Sequence, residues 1–289
     1  TTLGTTQASK VVTADANGVV KFDNGIQEES TAVTSSSNAA TLNLRDGTVF
    51  THTLSENVTY TFSNPAASGV AILANDPAAQ NGVYWLNHGS GAYQTYIDMA
   101  NGGYILCGKI PSSPANTSNP WSYNGSRWSS SSPVNESQCQ STGSGDALNR
   151  AYYEYTAQTG FRMSMSSITN VLVVARGGVT PKDAFTGSQY NTSFSRNDFL
   201  NWIPESSSQW NNQPHCNRNG FNRTDSSSAA MRFGHTMNNE NECNSNDSAI
   251  GFGCYTNNQS SSGSRNCAAG GFRWNGTVRY PYNGWIFVK

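Results

Sequence analysis

The sequence predicts an α+β protein in two parts: a β-rich segment over residues 1–70, then a mixed α+β domain of strands, short helices and long loops over residues 71–289. Three observations carry this reading. The N-terminal stretch alternates apolar and polar residues between Asn-Gly and Asp-Gly turns, which is the period of half-buried strands. The runs "NPAASG" at 64–69 and "NDPAAQNG" at 75–82 break that pattern and set a boundary near Ser68 to Asp76. Beyond them, apolar strand-like runs are joined by two segments that carry helix start and stop signals.

Composition narrows the function classes. Only 12% of the 289 residues are charged, about half the ~25% usual for soluble domains, so Ser, Asn, Thr and Gly carry the hydration. A net charge of -1 without Lys/Arg clusters leaves no electrostatic footprint for nucleic acid or anionic lipid. The longest apolar runs, such as "NVLVVA", fall far short of a membrane span, and the opening at Thr1 reads as a mature or trimmed chain. Six cysteines without a C-x-x-C pair favour three disulfides and an extracellular setting.

Taken in order, "KVVTADANGVVKF" at 10–22 reads as two strands joined at Ala16-Asn17-Gly18. "ATLNLRDGTVFTHTLSENVTYTF" at 40–62 continues the alternation through Leu42, Leu44, Val49, Val58, Tyr60 and Phe62, with turns at Asp46-Gly47 and Glu56-Asn57. So small an antiparallel sheet needs packing against something else, which makes self-association through this segment an expectation. The turns and alternation of residues 1–70 resemble the repetitive β segments of bacteriophage virion fibres, which implies a shaft that assembles as an oligomer, a trimer by that analogy.

Residues 81–110 form a three-stranded meander pattern: Val83 to Leu86, Tyr93 to Met99 and Tyr104 to Ile110, separated by Gly-rich turns. Here Gly82-Val83-Tyr84-Trp85, Tyr96-Ile97-Asp98-Met99 and Gly102-Gly103-Tyr104 resemble the entry motif of fibrinogen-related domains and the intelectins. The resemblance implies an extracellular lectin-like module, a fibrinogen-like mixed α+β fold and calcium sites. Ile97 stands where that family has a cysteine, and the upstream partner cysteine is missing too.

The stretch from Pro111 to Ser144, with Trp121 and Trp128, reads as long ordered loops or an insertion. "SGDALNRAYYEYTAQTG" is a helix candidate, with Asp146 near its start and Gly160 past its end, and "SRNDFLNWIPE" is a second that stops before Pro204. "SITNVLVVAR" between them reads as a buried strand.

Enzyme motifs are absent: there is no nucleophile elbow, H-E-x-x-H, P-loop or dinucleotide-binding glycine motif, and the four histidines are scattered. The stretch that stands out is "NNENECNSNDSAIGFGC", Asn238 to Cys254. In a chain poor in charge, Asn238, Glu240, Glu242, Asn244 and Asp247 offer the hard oxygen ligands that calcium takes. The bland alternative is an Asn-rich solvated loop held by a disulfide. "ENEC" also resembles the acidic calcium loop of fibrinogen-related domains, and the Cys243 to Cys254 interval resembles that family's short disulfide loop.

His235, just upstream, is a candidate partner for a sugar hydroxyl. Trp274, Tyr280 and Tyr282 in "FRWNGTVRYPYNGWIFVK" are candidate stacking surfaces for sugar rings, whereas Trp285 reads as part of a core-forming last strand. The patch Gln209 to Thr224 reads either as part of the same surface or as a loop pinned by Cys216. The expectation is a virion fibre or appendage adhesin for cell-surface glycans, calcium-dependent and oligomeric. The alternatives are a structural filament or capsid-decoration subunit and a secreted eukaryotic lectin.

Overall fold

The computed structural model describes residues 30–44, 49–63, 65–112, 119–166, 171–202, 212–224, 229–244, 246, 248–256, 265–272 and 279–289. The chain divides into two compact units, Thr1–Asn64 and Pro65–Lys289. The expected hairpins around Asn17-Gly18 and Asp46-Gly47 lie outside the described residues.

In the first unit, β1 (Ser30–Val33), β2 (Ala39–Asn43), β3 (Val49–His52) and β4 (Thr59–Ser63) follow one another. The expected antiparallel sheet is corrected here, because β1 pairs with β3 and β2 with β4, both parallel. Ser30 lies opposite Val49 and Ala39 opposite Thr59, so each circuit of the chain stacks on the next after 19 or 20 residues. Strand alternation is the same in a hairpin and in such a coil, so the sequence pattern did not separate them. The corners stack as well: Glu56 Oε2 accepts from the Asn38 backbone N–H at 3.1 Å, and Thr59 N–H donates to Asn38 O at 2.8 Å. Ser37 and Asn38 take positive φ at this corner, 53° and 62°, a conformation Asn tolerates better than most residues.

The second unit is mainly β, and the expected fibrinogen-like α+β fold is corrected accordingly. Its described helices are short: α1 (Gly69–Asn75), α2 (Ala151–Glu154), α3 (Pro181–Thr186) and α4 (Arg196–Leu200). The first sheet holds β5 (Gly82–Asn87), β6 (Ala92–Asp98), β7 (Tyr104–Ile110), β8 (Ala147–Leu148), β9 (Phe161–Met165), β10 (Leu172–Val174) and β16 (Gly284–Val288), in the order β10-β9-β16-β7-β6-β5 with β8 beside β7. The second is an antiparallel meander of β11 (His215–Thr224), β12 (Ala229–Asn238), β13 (Ser248–Thr256), β14 (Arg265–Phe272) and β15 (Arg279–Pro281).

One core joins them. Ile97, Ile105, Phe161, Met163, Ile286 and Val288 of the first sheet cluster with Phe221, Phe233, Met237, Ile250 and Phe252 of the second. The last strand lies between β9 and β7, which explains the apolar density of "WIFV". Ile97 is fully buried where the fibrinogen-related resemblance expects a cysteine.

The helix expected over 144–160 shrinks to one turn for a visible reason. The Asp146 carboxylate accepts from Trp121 Nε1 at 2.7 Å and binds Arg127 Nε and Nη2 at 3.0 and 2.8 Å instead of capping a helix. Ala147 and Leu148 then pair with Lys109 and Gly108 as β8. The second candidate is shorter than expected but carries a true capping box at Ser195 and Asp198. The strand expected to be buried here is an edge strand, β10: Leu172 and Val174 are buried, but Val173, and Val171 just before it, are exposed. Trp121 and Trp128, set in the long loop, are wholly buried and meet edge to face.

A row of glycines crosses the second sheet. Gly220, Gly234, Gly251 and Gly270 lie opposite one another on four adjacent strands, all at positive φ between 123° and 155°. A Cβ on Gly234 would stand 2.1 Å from Ile250 O and 2.8 Å from Gly251 Cα, so the strands approach here in a way only glycine permits.

Candidate functional site

His235, Asn238, Glu240, Glu242 and Asn244 lie at one end of the second sheet, where β11 begins and β12 ends. His215 pairs with Asn238, an irregularity follows between His215 and Arg218, and Arg218 then pairs with Thr236. Cys216, at φ 62°, is joined to Cys243, which ties the start of β11 to the loop after β12. The second disulfide, Cys254–Cys267, links β13 to β14 at directly opposed positions.

Two disulfides replace the expected three, and the Cys243 to Cys254 interval is not bridged. Cys107 and Cys139 are buried free thiols; burial pushes Cys139 up to about 12 and Cys107 well above its usual range. They are protected from oxidants rather than reactive.

The acidic loop is braced by its own side chains. Asn238, fully buried, donates from Nδ2 to Glu242 O at 2.9 Å and to Glu242 Oε1 at 3.1 Å, and its Oδ1 accepts from the Asn239 backbone N–H at 2.9 Å. Glu242 Oε2 accepts the Asn244 backbone N–H, and Glu240 Oε1 accepts from Asn239 Nδ2. Glu240 and Asn244 are exposed. Asn238 thus turns its NH2 group, not its carbonyl oxygen, toward the carboxylate that a cation would share. No group of three or more His, Cys, Asp or Glu converges among the described residues, and Asp247 lies outside them.

His235 is a core residue in this fold. Its ring is fully buried, stacks on Phe199 at 5.2 Å, and meets Asn217 Oδ1 through Nε2 at 3.3 Å. Because Asn217 Nδ2 donates to Pro214 O at 2.7 Å, Oδ1 is the acceptor and the histidine carries its proton on Nε2. Burial, with Arg196 nearby, lowers its pKa to about 3. His235 is out of reach of a bound sugar, but it holds a surface amide in place.

The remaining candidates separate. Tyr282 is half-buried against the core, with its N–H on Ala269 O. Tyr280 stands opposite Gly271 in β15, and Trp274 lies outside the described residues.

Beside Asn217 the structure places residues that sequence reasoning did not single out. Asn191, Thr192, Asn217, Arg218, Asn219 and Arg223 line a polar pocket of about 340 Å³. Gly220 makes it possible, because a Cβ there would stand 2.0 Å from Tyr190 O. Tyr190 can therefore form an isolated bridge to Phe221, with hydrogen bonds of 3.1 and 2.8 Å, which lays Asn191 and Thr192 against β11.

The pocket walls are fixed by hydrogen bonds. Thr192 Oγ1 donates to Asn219 Oδ1 at 2.6 Å, Asn219 Nδ2 donates to Phe194 O at 2.7 Å, and Arg223 donates to Asn191 Oδ1. The only sequence signal was the amide- and Arg-rich run "NRNGFNRT", which also suits an ordinary polar strand.

No family model matches the chain, and no curated protein sequence matches it.

Proposed function

We propose that this chain is an extracellular glycan-recognition protein, a virion fibre or appendage adhesin that presents its binding unit on a coiled β segment. The observation that carries the glycan reading is the pocket at the disulfide-braced end of the second sheet. Carboxamides, a threonine hydroxyl and guanidinium groups match the alternating donors and acceptors of a sugar.

Support for the shaft comes from the first unit, whose parallel coils repeat every 19 or 20 residues and so can extend by repetition. Its two-stranded sheets leave Val33, Leu42, Phe50, His52, Leu54 and Tyr60 around an apolar hollow, with Leu54 66% exposed, as suits contact with further copies. Assembly would raise the avidity of weak single sites. The two disulfides fit an oxidising, extracellular setting.

A second reading, a structural filament or decoration subunit, draws on the same coils. Calcium at the Glu240–Asn244 loop is part of the proposal; Asn238 would first have to rotate its carbonyl oxygen toward Glu242. A secreted eukaryotic lectin would carry glycans at N-x-S/T sequons such as Asn222-Arg223-Thr224 and Asn246-Asp247-Ser248, yet Asn222 and Asn246 are buried and their amides already donate to Ala184 O and Thr236 Oγ1.

The test is glycan-array binding of the full chain with calcium and then with a chelator, beside light scattering of its size. Retention of glycans by an oligomer supports the adhesin, and loss on chelation or in Glu242→Gln adds the metal. An oligomer that retains no glycan in either condition moves the chain to the structural reading.

A further inference from the structure

The second unit opens on a strap, residues 65–68, that follows the end of the first unit at Asn64 and leads into α1. Its far end is fixed. Ser68 is 3% exposed and caps α1 through its hydroxyl, and Gly69 lies so near the Gly103 carbonyl that a Cβ would stand 2.4 Å from it. The part before Ser68 is tied to the end of β5: Asn87 N–H donates to Ala66 O at 3.2 Å, and His88 Nε2 donates to Ala67 O at 2.9 Å.

His88 fits that place as a neutral ring. A carbonyl oxygen only accepts, so Nε2 carries a proton, and Nδ1 is the lone pair to which the Tyr93 hydroxyl donates at 3.0 Å. Tyr93 is 3% exposed, and its hydroxyl has no other hydrogen-bond partner among the described residues. The ring also packs on Tyr93 and Tyr155, with centroids 5.5 and 4.8 Å away. A proton on Nδ1 would force the Tyr93 oxygen to accept and leave that hydroxyl's hydrogen buried without an acceptor.

The charges around the ring divide. Glu154 of α2 favours an imidazolium. Arg150, whose Cζ is 5.9 Å from the Tyr93 ring centre and which pairs with Glu136, opposes it. Behind Tyr93 the buried thiols of Cys107 and Cys139 stay protonated. Burial outweighs the Ala67 hydrogen bond and the Glu154 attraction, so the docked ring holds its proton less well than an ordinary histidine.

We propose that His88 is an acid-sensitive clasp on the segment that connects the two units: neutral, it holds residues 65–67 on the end of β5, and protonated, it leaves the tyrosines and frees them. Three freed residues add up to about 10 Å of tether after Asn64. With the strap released His88 reaches water and titrates near its ordinary 6.5. The released state therefore binds the extra proton and gains population as pH falls through that value. This inference does not depend on what the second unit binds.

The experiment reads the full chain at two places. The C2–H resonance of His88 gives its pKa, expected below 6.5, and hydrogen exchange of the Asn87 amide, the donor to Ala66 O, reports the strap. Corrected for the intrinsic rate, protection at Asn87 is expected to fall at least about fivefold from about pH 7 to about pH 5, within the limit of about tenfold per unit that one proton sets, while amides of β7 and β16 keep theirs. His88→Gln keeps a donor for Ala67 O and an acceptor for Tyr93 but cannot titrate, and its Asn87 protection is expected to stay level. Tyr93→Phe removes the hydroxyl that requires a neutral Nδ1, and is expected to raise the His88 pKa and move the loss of protection to higher pH.

A His88 pKa at or above 6.5 overturns the clasp, because the docked ring then accepts the charge. Steady protection at Asn87 while His88 titrates shows that the strap stays docked and overturns the release. Loss of protection that persists in His88→Gln, or a titration unmoved by Tyr93→Phe, assigns the effect to another group and overturns the role of His88.

Discussion

Replacing Asp146 with alanine tests how the long loop is anchored. Its carboxylate is the partner of the Trp121 indole N–H at 2.7 Å, and Trp121 is wholly buried. With alanine the N–H keeps its burial and loses its acceptor, which costs roughly 1–3 kcal/mol. The same carboxylate grips Arg127 through two nitrogens, at 3.0 and 2.8 Å, and is the main reason the Arg127 pKa is raised.

That pair is about a quarter exposed, with side-chain accessibilities of 25% and 27%, so water screens it and its loss adds only about 0.5–1 kcal/mol. The expected total is about 3 kcal/mol, or a drop of roughly 6–12 °C in Tm for a unit of this size. Thermal and urea unfolding, followed by tryptophan fluorescence, measure it. The decisive comparison is the same substitution in a Trp121→Phe background, where no indole N–H remains to be orphaned and the cost falls to about 1 kcal/mol. An equal cost in both backgrounds, or under about 1 kcal/mol in the first, refutes the account of the buried indole.

Other consequences follow from single features. Gly234→Ala forces a Cβ to 2.1 Å from Ile250 O at φ 155°, and is expected to cost at least about 3 kcal/mol or to abolish folding; a melting temperature within 2 °C of the parent, roughly 1 kcal/mol or less, contradicts the close approach. Opening Cys216–Cys243 as a double serine variant releases a 27-residue loop and is expected to cost about 3.5 kcal/mol in chain entropy, read by urea denaturation. Cys107 and Cys139 are expected to resist alkylation in the native protein and to react after unfolding, giving two thiols by mass spectrometry; three bridges would contradict the pairing. His235 is neutral in the fold down to about pH 3, whereas the unfolded chain protonates it near 6.5. The unfolded state therefore binds the extra proton between those values, and stability falls as pH drops through that window, by up to about 1.4 kcal/mol per unit from this group. His235→Gln is expected to flatten the acid limb of the stability curve by that slope, and an unchanged limb would remove burial of a neutral ring as its cause.

Much of the local structure was legible in the chain. The β5–β7 meander, the apolar last strand and the low charge follow from side-chain periodicity and composition, which are properties of neighbours in sequence. The tertiary structure decided what those local rules leave equal. Alternating strands became stacked parallel coils because pairing depends on which edge is near, not on the pattern along one strand.

A helix signal at Asp146 gave way to a buried indole 25 positions away in sequence. His235, a polar residue by type, became core by stacking on Phe199, while Arg218, Arg223, Asn191 and Thr192 were brought together by a glycine that lets one strand lean on another. Composition and periodicity are local and one-dimensional, and so they determined the strands, the solvation and the cysteine supply. Disulfide partners, burial of a particular ring and convergence of a pocket depend on distances between residues far apart in the chain, which only the packed fold sets.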